Sequence, residues 1–351
     1  MKVITRMELK PGMELGEDVV NQGSVVYPAG TKVTDAVIQK LNRYNVMCVT
    51  ILEDVDYATT HYEKIQYNES FRKFVDNYHN CLTIYKAVMI SYLGTKQSID
   101  PAVLMKIFDD CYSMVTTENQ LLDYLYNMMP NEDELTYTQS FNSALLCGAF
   151  ANWLGLPADE KKLLILCGFY YDIGKWKLPN EILWKPGKLT DEEFAMVKKH
   201  PVIGYALVRD DHNLNEHIKN AVIMHHERYD GSGYPYHMKG DKIDKFARYM
   251  AIVDTYIAMA SPRSFRNAFT PLQIVGNFEK SLDKYDVSLL MPLIDRISQA
   301  QIGSRVQLND DSIWEVMVIH KHPYSRPMLR NEDNVILNLA ENPQLEIVKL
   351  V

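Results

Sequence analysis

The sequence predicts a mainly α-helical protein with a small α/β unit at its N-terminal end and a short β-rich tail at its C-terminal end. Phe71, Phe74, Val75, Tyr78, Cys81, Leu82 and Tyr85 recur at three- and four-residue steps, which is the spacing of one helix face. Long apolar segments follow over 136–154 and 158–171. Short strand-prone runs bounded by Gly, Pro, Asn and Asp fall at the two ends.

At 351 residues the chain exceeds one ordinary domain. We divide it into a small α/β domain (1–60), a helical connecting region (61–130), a main helical domain (131–300) and a β-rich tail (301–351). In the first part, Val19-Val20 and Val25-Val26-Tyr27 are strand-prone, and Pro28-Ala29-Gly30 makes a turn. Thr34 caps a helix over 35–41, and 47–51 returns as a strand. No nucleophile, ligand cluster or phosphate loop occurs there, so it reads as a packing or partner-docking module. The connecting region carries the apolar stripe, a turn at Gly94 and a second helical segment from Pro101 to Met114. His61 and His79 have no ligand partners at useful spacing.

The main domain opens with a helix over 136–154, then one starting near Pro157 that runs to Asp172-Ile173-Gly174-Lys175. Asp172 stands where an apolar helix ends, and a carboxylate there needs a charged partner or a metal; a salt bridge to Lys175 is the plainer answer. Thr190-Asp191-Glu192-Glu193 matches a capping box and starts a helix whose far end presents His200, which the following Pro201 is expected to tilt. His212 and His217 read as exposed. The stretch from His225 to Pro235 joins two adjacent imidazoles to a loop that Gly231, Gly233 and Pro235 must turn tightly, with Tyr234 at its tip. Glu227 and Asp230 are placed to orient the imidazoles from behind. Residues 246–259 form another apolar helix with Asp254 on it.

In the tail, 303–308 and 314–319 read as a hairpin, with further strands near 335–337 and 345–347. His320 and His322 lack a third ligand nearby and are not read as a metal pair. A net charge of −8 argues against nonspecific binding to nucleic acid, so an anionic substrate must meet local Lys and Arg such as Lys185, Lys188, Lys198 and Lys199. The five cysteines share no short spacing and read as isolated reduced thiols. The start lacks the apolar run of a signal peptide and no stretch approaches a membrane span, so a cytoplasmic location is expected.

The stretch from His225 to Pro235 resembles the signature of the HD-GYP domain, a branch of the HD phosphohydrolases whose substrate is the bacterial messenger cyclic di-GMP. The resemblance continues through Asp172-Ile173-Gly174-Lys175, Lys185 to Thr190, His200 to Gly204 and Asp254 to Arg266, covering roughly residues 126–300. It implies an HD-type helical fold and two metal ions, often iron or manganese. Phosphodiester hydrolysis needs a water made nucleophilic at neutral pH and positive charge opposite the attacking and leaving oxygens. Carried over, Asp172 would bridge, His200, His225 and His226 would complete one site, and Asp254 would serve the other. Lys175 would meet the scissile phosphate, Tyr234 the nucleotide, and Arg263 and Arg266 the phosphates.

The chain departs from this pattern at Gln139 and Tyr171, where the family has His, and at Leu135, where some members have a glutamate. The second site then keeps only Asp172 and Asp254. The reading that follows is a degenerate HD-GYP protein of cyclic di-GMP signalling, strong for one metal, nucleotide-responsive or partner-binding, with weak or absent hydrolysis. The alternative is an active phosphodiesterase in which Tyr171, Gln139 or water completes the second site. A scaffold without metal or nucleotide is the third. Expected partners are cyclic di-GMP or a related cyclic dinucleotide and a protein partner reached through residues 1–130, with a homodimer left open.

Overall fold

The computed structural model describes residues 2–5, 9–21, 24–44, 46, 48–52, 65, 68–128, 135–183, 185, 187–261 and 268–351, in two compact units, 1–72 and 73–351. In the first unit β1 (Lys2–Thr5) and β2 (Glu14–Leu15) flank β5 (Cys48–Leu52) in an antiparallel sheet, while β3 (Val19–Asn21) and β4 (Ser24–Tyr27) form a hairpin. Helix α1 (Asp35–Arg43) starts where the Thr34 hydroxyl accepts the Val37 amide at 3.4 Å, and it buries Val37 and Leu41 against Leu15, Val49 and Ile51. β1 and β2 are too short to have carried a periodic signal.

Helix α2 (Glu69–Thr95) continues through Gly94, where the sequence suggested a turn. Glycine within a helix costs only about 1 kcal/mol, and the break comes at Lys96, whose φ of 55° leaves the helical region. Two tyrosines on its apolar stripe reach the main domain: the Tyr78 hydroxyl donates to Asn142 Oδ1 and that of Tyr85 to the Phe169 carbonyl, both at 2.6 Å. α3 (Pro101–Tyr112) and α4 (Glu118–Asn127) are capped by Asp100 and Thr117.

The main domain is built on α5 (Leu135–Trp153), α6 (Ala158–Tyr170) and α11 (Lys245–Ala260). These helices are apolar on nearly every face because they are surrounded, not laid on a surface. α5 and α6 approach closely at Gly168, where a Cβ would sit 2.5 Å from Ala144 Cα. A 3-10 turn (Ile173–Lys177) and α7 (Asn180–Leu183) lead to α8 (Asp191–Val197), whose capping box is complete: Thr190 Oγ1 accepts the Glu193 amide and Glu193 accepts that of Thr190. α9 (His200–Val208) begins at His200 itself, so Pro201 lies in a first turn that needs no amide and does not kink the helix. α10 (Glu216–Met224) ends at the His225-His226 doublet. α12 (Pro271–Glu279) and α13 (Val287–Gln299) close the domain.

The tail is a five-stranded antiparallel sheet ordered β10-β6-β7-β8-β9, made of β6 (Arg305–Leu308), β7 (Ile313–Val318), β8 (Met328–Arg330), β9 (Ile336–Asn338) and β10 (Ile347–Leu350). Gln273 Nε2 donates to the Ile347 carbonyl at 3.0 Å, and Glu279 accepts the Tyr324 amide at 2.6 Å, so α12 holds the sheet to the helices. His320 and His322 face Asn338 and Glu279 respectively. No described helix is long and apolar enough to cross a membrane.

Candidate metal centre

Three helix ends meet at one buried point. The 3-10 turn after α6 brings Asp172, the start of α9 brings His200, and the end of α10 brings His225 and His226. Contact between the first two depends on glycine. A Cβ on Gly174 would lie 1.9 Å from the His200 carbonyl oxygen and 2.6 Å from the Gly204 amide nitrogen, so only glycine lets the turn rest on α9.

The imidazoles are oriented by backbone. His200 Nδ1 lies 2.7 Å from the Val197 carbonyl, and His225 Nδ1 lies 3.0 Å from that of Val222. A carbonyl can only accept, so both Nδ1 atoms carry the proton and both Nε2 atoms present a lone pair. Those Nε2 atoms stand 3.0 Å apart, with Asp172 Oδ1 3.2 Å from the first and 3.7 Å from the second. Oδ1 is fully buried and has no hydrogen-bond partner. Three acceptors turned on one another repel unless a cation lies between them.

Their spacing fits one. With metal–nitrogen bonds of about 2.0–2.1 Å, neighbouring ligands stand about 2.9 Å apart in an octahedral site and about 3.4 Å apart in a tetrahedral one. The ligand atoms of His200, His225 and His226 all lie within 4.8 Å of one another. The His226 ring stacks on Tyr234 at 4.7 Å and 20°, and its Nδ1 lies 3.9 Å from Asp254 Oδ2.

The other side of the centre is filled differently. Tyr171 is fully buried; its hydroxyl accepts from Ser143 Oγ and donates to Asp254 Oδ1, each at 3.2 Å. Burial, then the Asp172 and Asp254 carboxylates, push the phenol well above its ordinary value, so it keeps its proton. Burial likewise raises the Asp254 carboxyl. Lys175 Nζ bonds Asp172 Oδ2 at 2.5 Å, so the two Asp172 oxygens divide between an ammonium and the imidazoles. Burial alone would raise Asp172, yet the Lys175 ammonium above all holds its carboxyl well below the usual range. The salt bridge and the ligand face therefore coexist.

Several expected roles move. Glu227 does not orient the imidazoles: its oxygens accept the Tyr236 and Met238 amides at 2.7 and 3.0 Å and tie down the loop. Asp230 accepts the Ser232 amide, again inside the loop. Lys185 pairs with Glu193 at 2.7 Å, and His217 with Asp244 at 2.7 Å. Gln139 is buried on α5, whereas Arg263, Arg266 and the Leu135 side chain lie outside the described residues. Sequence reasoning missed Ser143, which sits four residues after Gln139 on the same helix face and could have been found by that spacing.

The sequence pattern of the HD domain family matches residues 116–289, a span that holds every residue of this cluster. Residues 116–289 form a domain of the HD family. Among its relatives, a cyclic di-GMP phosphodiesterase of Pseudomonas aeruginosa is 29% identical over 67% of this chain and 56% of its own length. A 3'3'-cGAMP-specific phosphodiesterase of Vibrio cholerae is 33% identical over 45% of this chain and 30% of its own. A cyclic di-GMP phosphodiesterase of Borreliella burgdorferi is 24% identical over 89% of this chain and 84% of its own. The chain thus spans little more than half of the Pseudomonas relative. Together with the signature from His225 to Pro235, these likenesses identify an HD-GYP type of HD domain.

HD domains are metal-dependent, and the burial of this one predicts a pH response. Burial pushes His225 down to about 3 and, with neighbouring His225, holds His226 well below its ordinary value. In the unfolded chain both titrate near 6.5. Between those values the unfolded state binds more protons, so stability rises with pH there and is lost on acidification. The metal-free protein should lose thermal stability as pH falls from about 6.5 towards 4.5. His225→Asn should flatten that slope, isolating it from the opposite response of Asp254; an equal slope in the variant contradicts the buried neutral imidazole.

Proposed function

We propose that this HD domain holds one metal ion strongly through Asp172, His200, His225 and His226, and binds cyclic di-GMP or a related cyclic dinucleotide with weak or absent hydrolysis, as a responsive module of cyclic di-GMP signalling. The observation that carries this reading is the Tyr171 hydroxyl on Asp254. A second ion would have to displace that hydroxyl from Asp254 and the Lys175 ammonium from Asp172 Oδ2, and would then meet two carboxylates and a protonated phenol. The mixed imidazole and carboxylate set suits iron or manganese. The nucleotide class is supported by the substrates named for the Pseudomonas and Vibrio relatives.

When bound, the ion would supply positive charge towards a phosphate and acidify a coordinated water. The chain's own part is to hold His200 and His225 by backbone acceptors, to neutralise Asp172 with Lys175, and to offer the Tyr234 face beside His226. The Lys175 ammonium has three donors and spends one on Asp172, which leaves the others for a phosphate.

The test joins elemental analysis of anaerobically purified protein to calorimetric titration with cyclic di-GMP and an assay for linear dinucleotide. About one metal per chain, lost in His226→Ala, with binding and little turnover, is expected. About two metals with sustained turnover would overturn the reading in favour of a working phosphodiesterase completed by Tyr171, Gln139 or water.

A further inference from the structure

We infer that Arg228, acting through Tyr285 and Thr255, is a positioning residue that fixes the His225-His226 end of α10 against Asp254 on α11. The inference rests on the reading of the buried histidines as a metal centre.

The doublet follows the last turn of α10, where backbone carbonyls lose their helical partners. Arg228 Nη1 donates to two carbonyls of this turn, His225 at 3.2 Å and Glu227 at 3.0 Å. A cation is favoured there by the helix dipole as well. The guanidinium carbon stands 5.4 Å from the Tyr285 ring centroid, within cation–π range. Tyr285 in turn reaches α11. Thr255 donates its own hydroxyl proton to the Ala251 carbonyl at 2.7 Å, so in its 3.2 Å bond with the Tyr285 hydroxyl it must accept. Thr255 is the neighbour of Asp254. A backbone strap runs alongside, from the Tyr229 amide to the Lys284 carbonyl at 2.9 Å.

The path from the two carbonyls through Arg228, Tyr285 and Thr255 therefore joins two elements that carry candidate ligands. What it sets is the His226 to Asp254 separation of 3.9 Å. Lysine cannot replace arginine in it, because a compact ammonium does not bond two carbonyls while laying a flat face on a ring.

The experiment compares the full chain with Arg228→Lys, Arg228→Ala, Tyr285→Phe and, as a control, Lys106→Ala, an exposed lysine on α3 paired only with Asp110 among the ion pairs of the described residues. Manganese affinity is read by competition with a chromophoric chelator, the ligand field by electron paramagnetic resonance of bound manganese, and folding by thermal melts. Arg228→Lys should bind manganese about 10- to 100-fold more weakly, the usual effect of losing a residue behind the ligands. Its resonance should be altered while its melt stays near wild type. Tyr285→Phe should fall between, and Lys106→Ala should match wild type. If Arg228→Ala does not fold, Tyr285→Phe still decides the matter. Wild-type affinity and resonance in both Arg228→Lys and Tyr285→Phe would sink the clamp alone. No manganese binding by the wild-type chain would instead sink the metal centre on which the clamp depends.

Discussion

Replacing Tyr171 with His should raise bound metal from about one ion per chain towards two, and the double variant with Gln139→His should raise it further and bring measurable cyclic di-GMP turnover. The Tyr171 hydroxyl now occupies Asp254 Oδ1, and burial keeps that hydroxyl protonated. An imidazole would release Asp254 and supply a neutral nitrogen in place of a phenol that does not ionise. Losing a residue behind metal ligands already costs about 10- to 100-fold in affinity or activity, so restoring a ligand itself should gain at least about 100-fold in turnover over the wild-type background. Exchanging a buried phenol for a smaller ring leaves space and should cost about 2–4 kcal/mol of stability. Elemental analysis, thermal melts and the release of linear dinucleotide measure these effects. A metal content that stays at the wild-type level in both variants means that some other feature limits the second site.

Gly174→Ala should be damaging in both stability and metal binding. The added methyl would meet the His200 carbonyl oxygen at 1.9 Å and the Gly204 amide nitrogen at 2.6 Å, and both obstacles are backbone, so neither can swing aside. Overpacking of this kind costs about 3 kcal/mol or more, and what yields is the spacing between Asp172 and His200. Gly155→Ala is the informative contrast: its φ is +62° but nothing lies within 4 Å of the new carbon, so only local strain of about 1 kcal/mol is expected, with metal affinity unchanged. Urea denaturation and manganese titration of the pair test this. Equal losses in the two variants would mean that close approach at Gly174 does not hold the centre together.

The residues that gather here were visible as acids and imidazoles at the ends of apolar helices, and the mainly helical architecture was legible from periodicity. The long helix α2 carries that signal over several turns and α5 and α6 show instead as long apolar runs because they are surrounded, whereas β1 and β2 have too few residues to carry any. Helix ends were less legible. Gly94 suggested a turn that the chain makes two residues later, because a glycine permits a break without requiring one. Partnership was the least legible property. Spacing places Glu227 within a turn of the histidines, but the tight loop carries the Tyr236 and Met238 amides back onto that carboxylate. In the same way, sequence offered Asp172 either an ammonium or a metal, and only the torsions of the 3-10 turn reveal that its two oxygens point to different partners.

The two tyrosine hydroxyls of α2 have a mechanical consequence. Tyr78 and Tyr85 are seven residues apart, so the two anchoring residues stand about 10.5 Å apart along the rod. A rod pinned at one point can still roll, but one keyed at two points on the same edge can neither roll nor slide without releasing both pins together. The lower pin ends three residues before Asp172. Moving α2 against α5 and α6 therefore requires both bonds to break together, the second of them at the end of the helix that leads into Asp172.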